Sequence, residues 1–137
     1  MVRLVVGEKG TGKTKRMLEM ANDLADTAHG SIIFVDKNKK SMYNLKYPIR
    51  LVSLEEYPVR DTKSFIGFLC GMIASDHDIE TIFIDRLLSL TDLELEGLTP
   101  MIKEIERLGE IHHVQFVVSI SCAESELPEA LKRYETV

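Results

Sequence analysis

The sequence has few of the features that mark secreted, metal-binding or membrane-spanning proteins. It holds only two cysteines in 137 residues, Cys70 and Cys122, and neither has a second cysteine or histidine at metal-ligand spacing. We therefore expect both to be small apolar residues of a reducing compartment. No apolar run approaches the roughly 20 residues of a membrane span, and no basic segment followed by a long apolar run resembles a signal peptide. The expected location is the cytoplasm.

Positive charge is also scarce, since 17 Lys and Arg stand against 22 Asp and Glu for a net charge of −5. Binding along a nucleic-acid backbone depends on clustered Lys and Arg, so the composition gives no strong nucleic-acid signal. The one dense basic run, residues 37–40, is typical of a solvated loop, with contact to phosphate or a partner as the alternative. The four histidines, His29, His77, His112 and His113, lack the spacing of a metal site.

The remaining composition, 45% hydrophobic and 28% charged, is typical of one globular domain, which we expect over residues 1–137. Apolar runs alternate with helical patterns, and this order favours a parallel sheet covered by helices on both faces. We expect a three-layer αβα fold with five mostly parallel strands. The predicted strands are 2–6, 31–36, 49–54, 81–85 and 114–121, and the main predicted helices are 13–28, 63–75, 100–110 and 128–134. Residues 91–94 fit a capping box at a further helix start.

The first of these strands leads directly into a P-loop, the phosphate-binding pattern GxxxxGK[ST]. Its residues are Gly7, Glu8, Lys9, Gly10, Thr11, Gly12, Lys13 and Thr14. Glycines let the backbone wrap closely around a phosphate, where main-chain N–H groups and the following helix N-terminus meet the anion. In this pattern Lys13 reaches the β- and γ-phosphates, and the Thr14 hydroxyl is a ligand of Mg²⁺.

A second motif, the apolar strand that ends at Asp85, fits the Walker B pattern. Such strand ends are common in buried sheets, but a P-loop upstream makes this one specific. The metal held by Thr14 needs a carboxylate from a neighbouring strand, so we expect Thr14 and Asp85 to share one Mg²⁺.

The predicted helix 63–75 is apolar on nearly every side, including Phe65, Leu69 and Ile73. A helix without a polar face is either deeply buried or covered by a second subunit. This pattern makes a homo-oligomer or a protein partner an open expectation.

The chain has a P-loop, a strand that ends in Asp36, a strand that ends at Ser53 and a Walker B strand that ends at Asp85. In this order of motifs it resembles the RecA and KaiC family of ATPases. The resemblance covers nearly the whole chain, although only the P-loop is specific by itself. It implies that the strand ending near Ser119 lies between the P-loop and Walker B strands. It also implies that Ser119 or Ser121 senses the γ-phosphate.

The sequence departs from that family at the glutamate that orients the attacking water. The position after the second strand reads Asp36-Lys37-Asn38, and Arg86 rather than Glu follows Asp85. The nearest glutamates are Glu55 and Glu56, which are either a candidate base or solvated loop charges. The family's DNA-handling loops lie at or beyond the last strand, and no matching segment is found there.

Three functions are therefore in competition. The leading one is a protein that binds ATP or another nucleoside triphosphate with Mg²⁺, with Lys13 and Asp85 central to slow or partner-stimulated hydrolysis. The second is a regulatory or assembly module that binds nucleotide without hydrolysing it, and the third is a kinase of a nucleoside or other small molecule. Four arginines are candidate fingers that would act in a neighbouring subunit, and the alternative is that they are simply solvated. They are Arg60, Arg86, Arg107 and Arg133.

Overall fold

The runs rich in Ile, Val and Phe form the strands of one parallel sheet in the computed structural model, which describes residues 1–136. The strands are β1 (Val2–Gly7), β2 (Ser31–Asp36), β3 (Ile49–Ser53), β4 (Ile79–Ile84), β5 (Gln115–Ser121) and β6 (Glu135–Thr136). The helices are α1 (Lys13–Ala25), α2 (Thr62–Ser75), α3 (Leu87–Thr91) and α4 (Leu98–His112). Every strand pair is parallel, in the order β3-β2-β4-β5-β1-β6.

The two faces of the sheet carry different helices, which gives the three layers expected from the sequence. Successive side chains of a strand point to opposite faces, so Ile82 and Ile84 of β4 join the larger core with α2 and α4. Phe83, between them, packs with α1 in the smaller core and stacks on Phe34 of β2 at a ring separation of 6.0 Å. The predicted three-layer α/β architecture is therefore confirmed.

The sheet has six strands, so the expectation of five was wrong by the short edge strand β6. Its residues pair with β1 at Arg3 and Leu4. Two residues are too few to produce a recognisable alternation. The predicted helix 128–134 was also wrong, because the segment forms only a 3₁₀ turn at Glu129–Leu131 and then runs on to lie beside β1.

The structure corrects the prediction of a capping box at residues 91–94. Thr91 is the last residue of α3, a helix not expected from the sequence, and its Oγ1 donates to the Leu87 carbonyl at 2.9 Å. Asp92 takes a left-handed conformation with φ 51°, which ends that helix.

The bounds of two other helices differ from the prediction by a few residues. α1 ends at Ala25 rather than at 28, and α4 starts at Leu98 and continues to His112. The left-handed residue His113, with φ 58°, terminates α4.

Helix α2 buries its large side chains within the chain itself. Phe65, Leu69 and Ile73 are buried, whereas the exposed outer face carries small residues, namely Gly67, Cys70, Gly71 and Ala74. Asp61 caps the helix by accepting from the Ser64 N–H at 2.8 Å, and this hydrogen bond lowers the pKa of Asp61. The deep burial expected of this helix therefore applies to one face, and cover by a second subunit stays a prediction. Among the helices of residues 1–136, none is long and apolar enough to cross a membrane.

Candidate functional site

The candidate site lies where the carboxyl ends of β1, β4 and β5 meet. Parallel strands present these ends at one edge of the sheet, where ligands of open α/β sheets bind. β5 pairs with β4 on one side and β1 on the other. The predicted placement of the Ser119 strand between the P-loop and Walker B strands is therefore confirmed.

The loop after β1 needs one glycine for a close contact and two for a left-handed backbone. A Cβ on Gly7 would lie 2.6 Å from Thr11 Oγ1, and that hydroxyl closes the loop by donating to the Glu8 carbonyl at 2.7 Å. Gly10 and Gly12 have φ values of 83° and 88°, in the left-handed region that side chains disfavour. The tight loop places the N-terminus of α1 directly at its end.

Helix α1 begins at this loop without a side-chain cap from any residue in the described part of the chain. Its first N–H groups are therefore available to an anion, in the usual manner of phosphate sites at helix N-termini. Lys13 is 9% exposed, and its ammonium folds over the loop to donate to the Glu8 carbonyl at 2.8 Å.

A cavity of about 300 Å³ opens above the loop and is strongly basic. The described residues that line it include four cations and no carboxylate, and they are Lys9, Gly10, Gly12, Lys13, Thr14, Lys15, Arg86 and Ser121. We call this the phosphate cavity. Its positive lining complements an anionic ligand, although the chain as a whole is acidic.

Asp85 sits at the floor of this site with no exposed surface. Thr14 Oγ1 donates to its Oδ2 at 2.7 Å, and Ser119 Oγ donates to its Oδ1 at 2.6 Å. The fold thus brings Thr14 and Asp85, which are 71 positions apart in the sequence, into hydrogen-bond contact. A hydroxyl beside a carboxylate is an oxygen donor set of the kind that Mg²⁺ prefers.

The two serines proposed as sensors occupy different environments. Ser119 is fully buried and also accepts from the Arg86 N–H at 2.7 Å, whereas Ser121 is exposed and lines the phosphate cavity. Ser119 therefore holds Asp85 in place, and Ser121 is the serine that a ligand in the phosphate cavity could contact.

Arg86 makes the contact that the sequence did not reveal. Its Nη2 donates to Asp36 Oδ1 at 2.6 Å, and its Nε lies 3.8 Å from Asp85 Oδ2. Burial raises the pKa of Asp36, although the hydrogen bond from Arg86 acts in the opposite direction. The same hydrogen bond raises the pKa of Arg86. Because β2 and β4 are parallel neighbours, the end of β2 at Asp36 lies near the residues that follow β4, and this adjacency is the only signal that could have suggested the pair.

The remaining candidates lie away from the phosphate cavity. Glu56 pairs with Lys39 at 3.3 Å, and Glu55 and Arg60 line a separate cavity of about 530 Å³. The other two arginines are in surface ion pairs within the chain, Arg107 with Glu104 at 2.6 Å and Arg133 with Glu106 at 3.2 Å.

Comparison with known proteins supports the fold. No protein-family model and no curated protein matches this sequence. Among solved structures, the flagellar accessory protein FlaH from Methanocaldococcus jannaschii is similar with a TM-score of 0.62 at 13% identity. The match covers 96% of this chain but 64% of FlaH, so the chain spans less than two thirds of that protein's length. At this identity the likeness shows a RecA-like fold.

Replacement of Ser119 should expose how far Asp85 depends on its donors. In Ser119→Ala the buried carboxylate loses one donor and the Arg86 N–H loses its acceptor, so the free energy of unfolding should fall by about 1–3 kcal/mol. Urea denaturation measures this change. Ser121→Ala, two positions along the same strand but exposed, is the matched control and should stay within about 0.5 kcal/mol. Equal stability of the two variants would contradict the assigned support of Asp85.

Proposed function

We propose that this chain binds Mg²⁺ and ATP through residues 7–14 and Asp85, and that it hydrolyses the nucleotide slowly by itself. The observation that carries the proposal is the hydrogen bond that Thr14, which lines a cavity rich in cations, donates to the buried carboxylate of Asp85. A P-loop supplies the phosphate contacts, and a Walker B carboxylate is the partner that such a loop requires. The RecA-like fold is consistent with this chemistry.

The phosphate contacts follow from the hydrogen bonds within the loop. Lys13 now donates to the Glu8 carbonyl, and exchange of that neutral acceptor for a phosphate oxygen gives a stronger, charge-assisted hydrogen bond. The N–H groups at the uncapped start of α1 complete the cradle.

The donor set at Thr14 and Asp85 fits Mg²⁺, since their oxygens are 2.7 Å apart and Asp85 is already supported by Ser119. Mg²⁺ usually takes one or two protein ligands and completes its shell with phosphates and water. When bound, the ion would neutralise charge that develops on the phosphates. Thr14 and Asp85 would hold it, and Ser119 would keep Asp85 oriented.

The proposed slow turnover rests on what surrounds the phosphate cavity. By the resemblance to RecA and KaiC ATPases, a water-orienting glutamate is expected near Asp36-Lys37-Asn38 or directly after Asp85, and this chain has no glutamate at residues 36–38 and has Arg86 after Asp85. Glu55 and Glu56 line other surfaces of the described chain. Without a base near the γ-phosphate, hydrolysis loses one of its largest contributions. The same observation favours the second candidate, a cytoplasmic regulatory or assembly module that binds ATP without turnover.

Lys13→Ala tests the loop. Loss of a charge-assisted hydrogen bond should weaken ATP binding by about tenfold to a hundredfold, because such bonds contribute about 1.5–3 kcal/mol. Isothermal titration with Mg²⁺ and ATP measures the change, and circular dichroism checks the fold. Lys103→Ala, on the exposed face of α4, is the control and should bind like the wild type. Unchanged affinity in a folded Lys13→Ala protein would show that the loop is not a nucleotide site.

The metal is tested by Asp85→Asn, which keeps the shape of the side chain and removes its charge. ATP affinity should fall clearly in Mg²⁺ and much less in EDTA, because the lost interaction is with the cation. Asp92→Asn serves as control, since this exposed left-handed position accommodates either residue. The same loss in both buffers would reduce Asp85 to a structural strand-end acid.

Turnover by the isolated protein should lie far below the usual enzyme range of about 1 to 10³ per second. Phosphate release measured across a dilution series checks this. A rate that rises with protein concentration would indicate that a second copy contributes to the site. Fast hydrolysis independent of concentration would contradict the proposed role of the missing glutamate, and Glu55→Gln and Glu56→Gln would then identify the base.

A further inference from the structure

Arg86 lies between two places where an anion can sit. On one side its guanidinium contacts the carboxylate of Asp36, which is 1% exposed. On the other side its side chain lines the phosphate cavity together with Lys13, Thr14 and Ser121. It also lines an adjoining cavity of about 410 Å³, so the residue borders two cavities on the ligand side.

The guanidinium is only partly satisfied where it stands. Within residues 1–136 its Nε is buried and has no hydrogen-bond partner, although Nη2 is well placed on Asp36. Buried N–H groups without an acceptor are rare in native structures, and a functional role or contact with an ion is one explanation for them. Arginine presents its N–H groups as a planar fork that matches two phosphate oxygens at once.

The backbone of Arg86 is held in a conformation that is costly for this residue. Its φ of 60° lies in the left-handed region, which a long side chain adopts only when surrounding contacts enforce it. The Arg86 N–H donates to Ser119 Oγ at 2.7 Å, and its carbonyl accepts from the Leu90 N–H at 3.0 Å. The anchored backbone fixes the Cα beside Asp85 and leaves the side chain, 37% exposed, free to change partner.

We propose that Arg86 contacts the γ-phosphate of a nucleotide bound to its own chain, and that it leaves Asp36 to do so. This inference rests on the proposed function and adds a residue that contacts the γ-phosphate. From the sequence Arg86 is either a finger that reaches into a neighbouring subunit or a solvated residue, whereas the structure places it on the wall of its own phosphate cavity.

Asp36 is the competing anion in this exchange. It keeps a second donor, the Lys37 N–H at 2.7 Å, so departure of Arg86 does not leave it without a hydrogen bond. Without a γ-phosphate the guanidinium returns to Asp36. The pair would therefore add to the preference for a triphosphate over a diphosphate, since Arg86 contacts the γ-phosphate alone, whereas the loop and Lys13 also contact phosphates that both nucleotides share.

Binding of ATP and ADP, each with Mg²⁺, to matched variants tests the exchange. Arg86→Ala should weaken ATP binding about tenfold or more and leave ADP binding within about twofold of the wild type. Asp36→Asn should have the opposite effect and tighten ATP binding alone, because the competing charge is gone. Arg107→Ala removes an exposed arginine that also pairs with a carboxylate, and it should change neither affinity.

The outcomes separate this inference from the proposed function. If the wild type binds neither nucleotide, both fail. If the wild type binds ATP but Arg86→Ala weakens ATP and ADP equally, or weakens neither, only the role of Arg86 is overturned. Should Arg86→Ala fail to fold, Asp36→Asn decides by itself, since unchanged or weaker ATP binding in that variant would overturn the exchange.

Discussion

The structure depends on the burial of one carboxylate, that of Asp85, at the centre of the sheet's carboxyl edge. A charge without exposed surface is costly unless donors surround it, and here the donors come from two other elements. Thr14 supplies one from the start of α1, and Ser119 supplies the other from β5. Because β5 lies between β4 and β1, the strand order itself brings these groups together. The site and the sheet topology are thus two aspects of the same constraint.

Local repetition explains which parts of the fold the sequence could predict. Buried strands such as β2 and β5 are continuous apolar runs, and α4 repeats its apolar residues at helical spacing, so their types could be read directly. The errors fall where a pattern is short or ambiguous. Residues 91–94 match a capping box, but Thr91 bonds back to Leu87 at the end of a helix. β6 has only two residues, and it pairs with β1, which lies more than 100 residues away in the sequence.

The same distinction holds within the site. The P-loop has a fixed local spacing, so its conformation and the place of Lys13 could be expected from the sequence. The contact of Arg86 with Asp36 joins residues 50 positions apart, neither of which belongs to a repeating pattern. What creates it is the adjacency of β2 and β4 together with a left-handed backbone at Arg86. Tertiary contacts of this kind become visible only once the strand order is known.

The strand order also governs when the site can form during synthesis on the ribosome. β1 leaves the exit tunnel first, yet its described partners are β5 and β6, and the pairing of Val2 with Phe116 spans more than 100 residues. At translation rates of about 5–20 residues per second, roughly 6–23 s pass between the synthesis of β1 and the synthesis of its partner strand β5. During this interval the apolar residues of β1 have no sheet to join, so non-local pairing makes folding slow and exposes the strand to aggregation. A nascent chain could therefore form the site around the P-loop only after β5 has been synthesised.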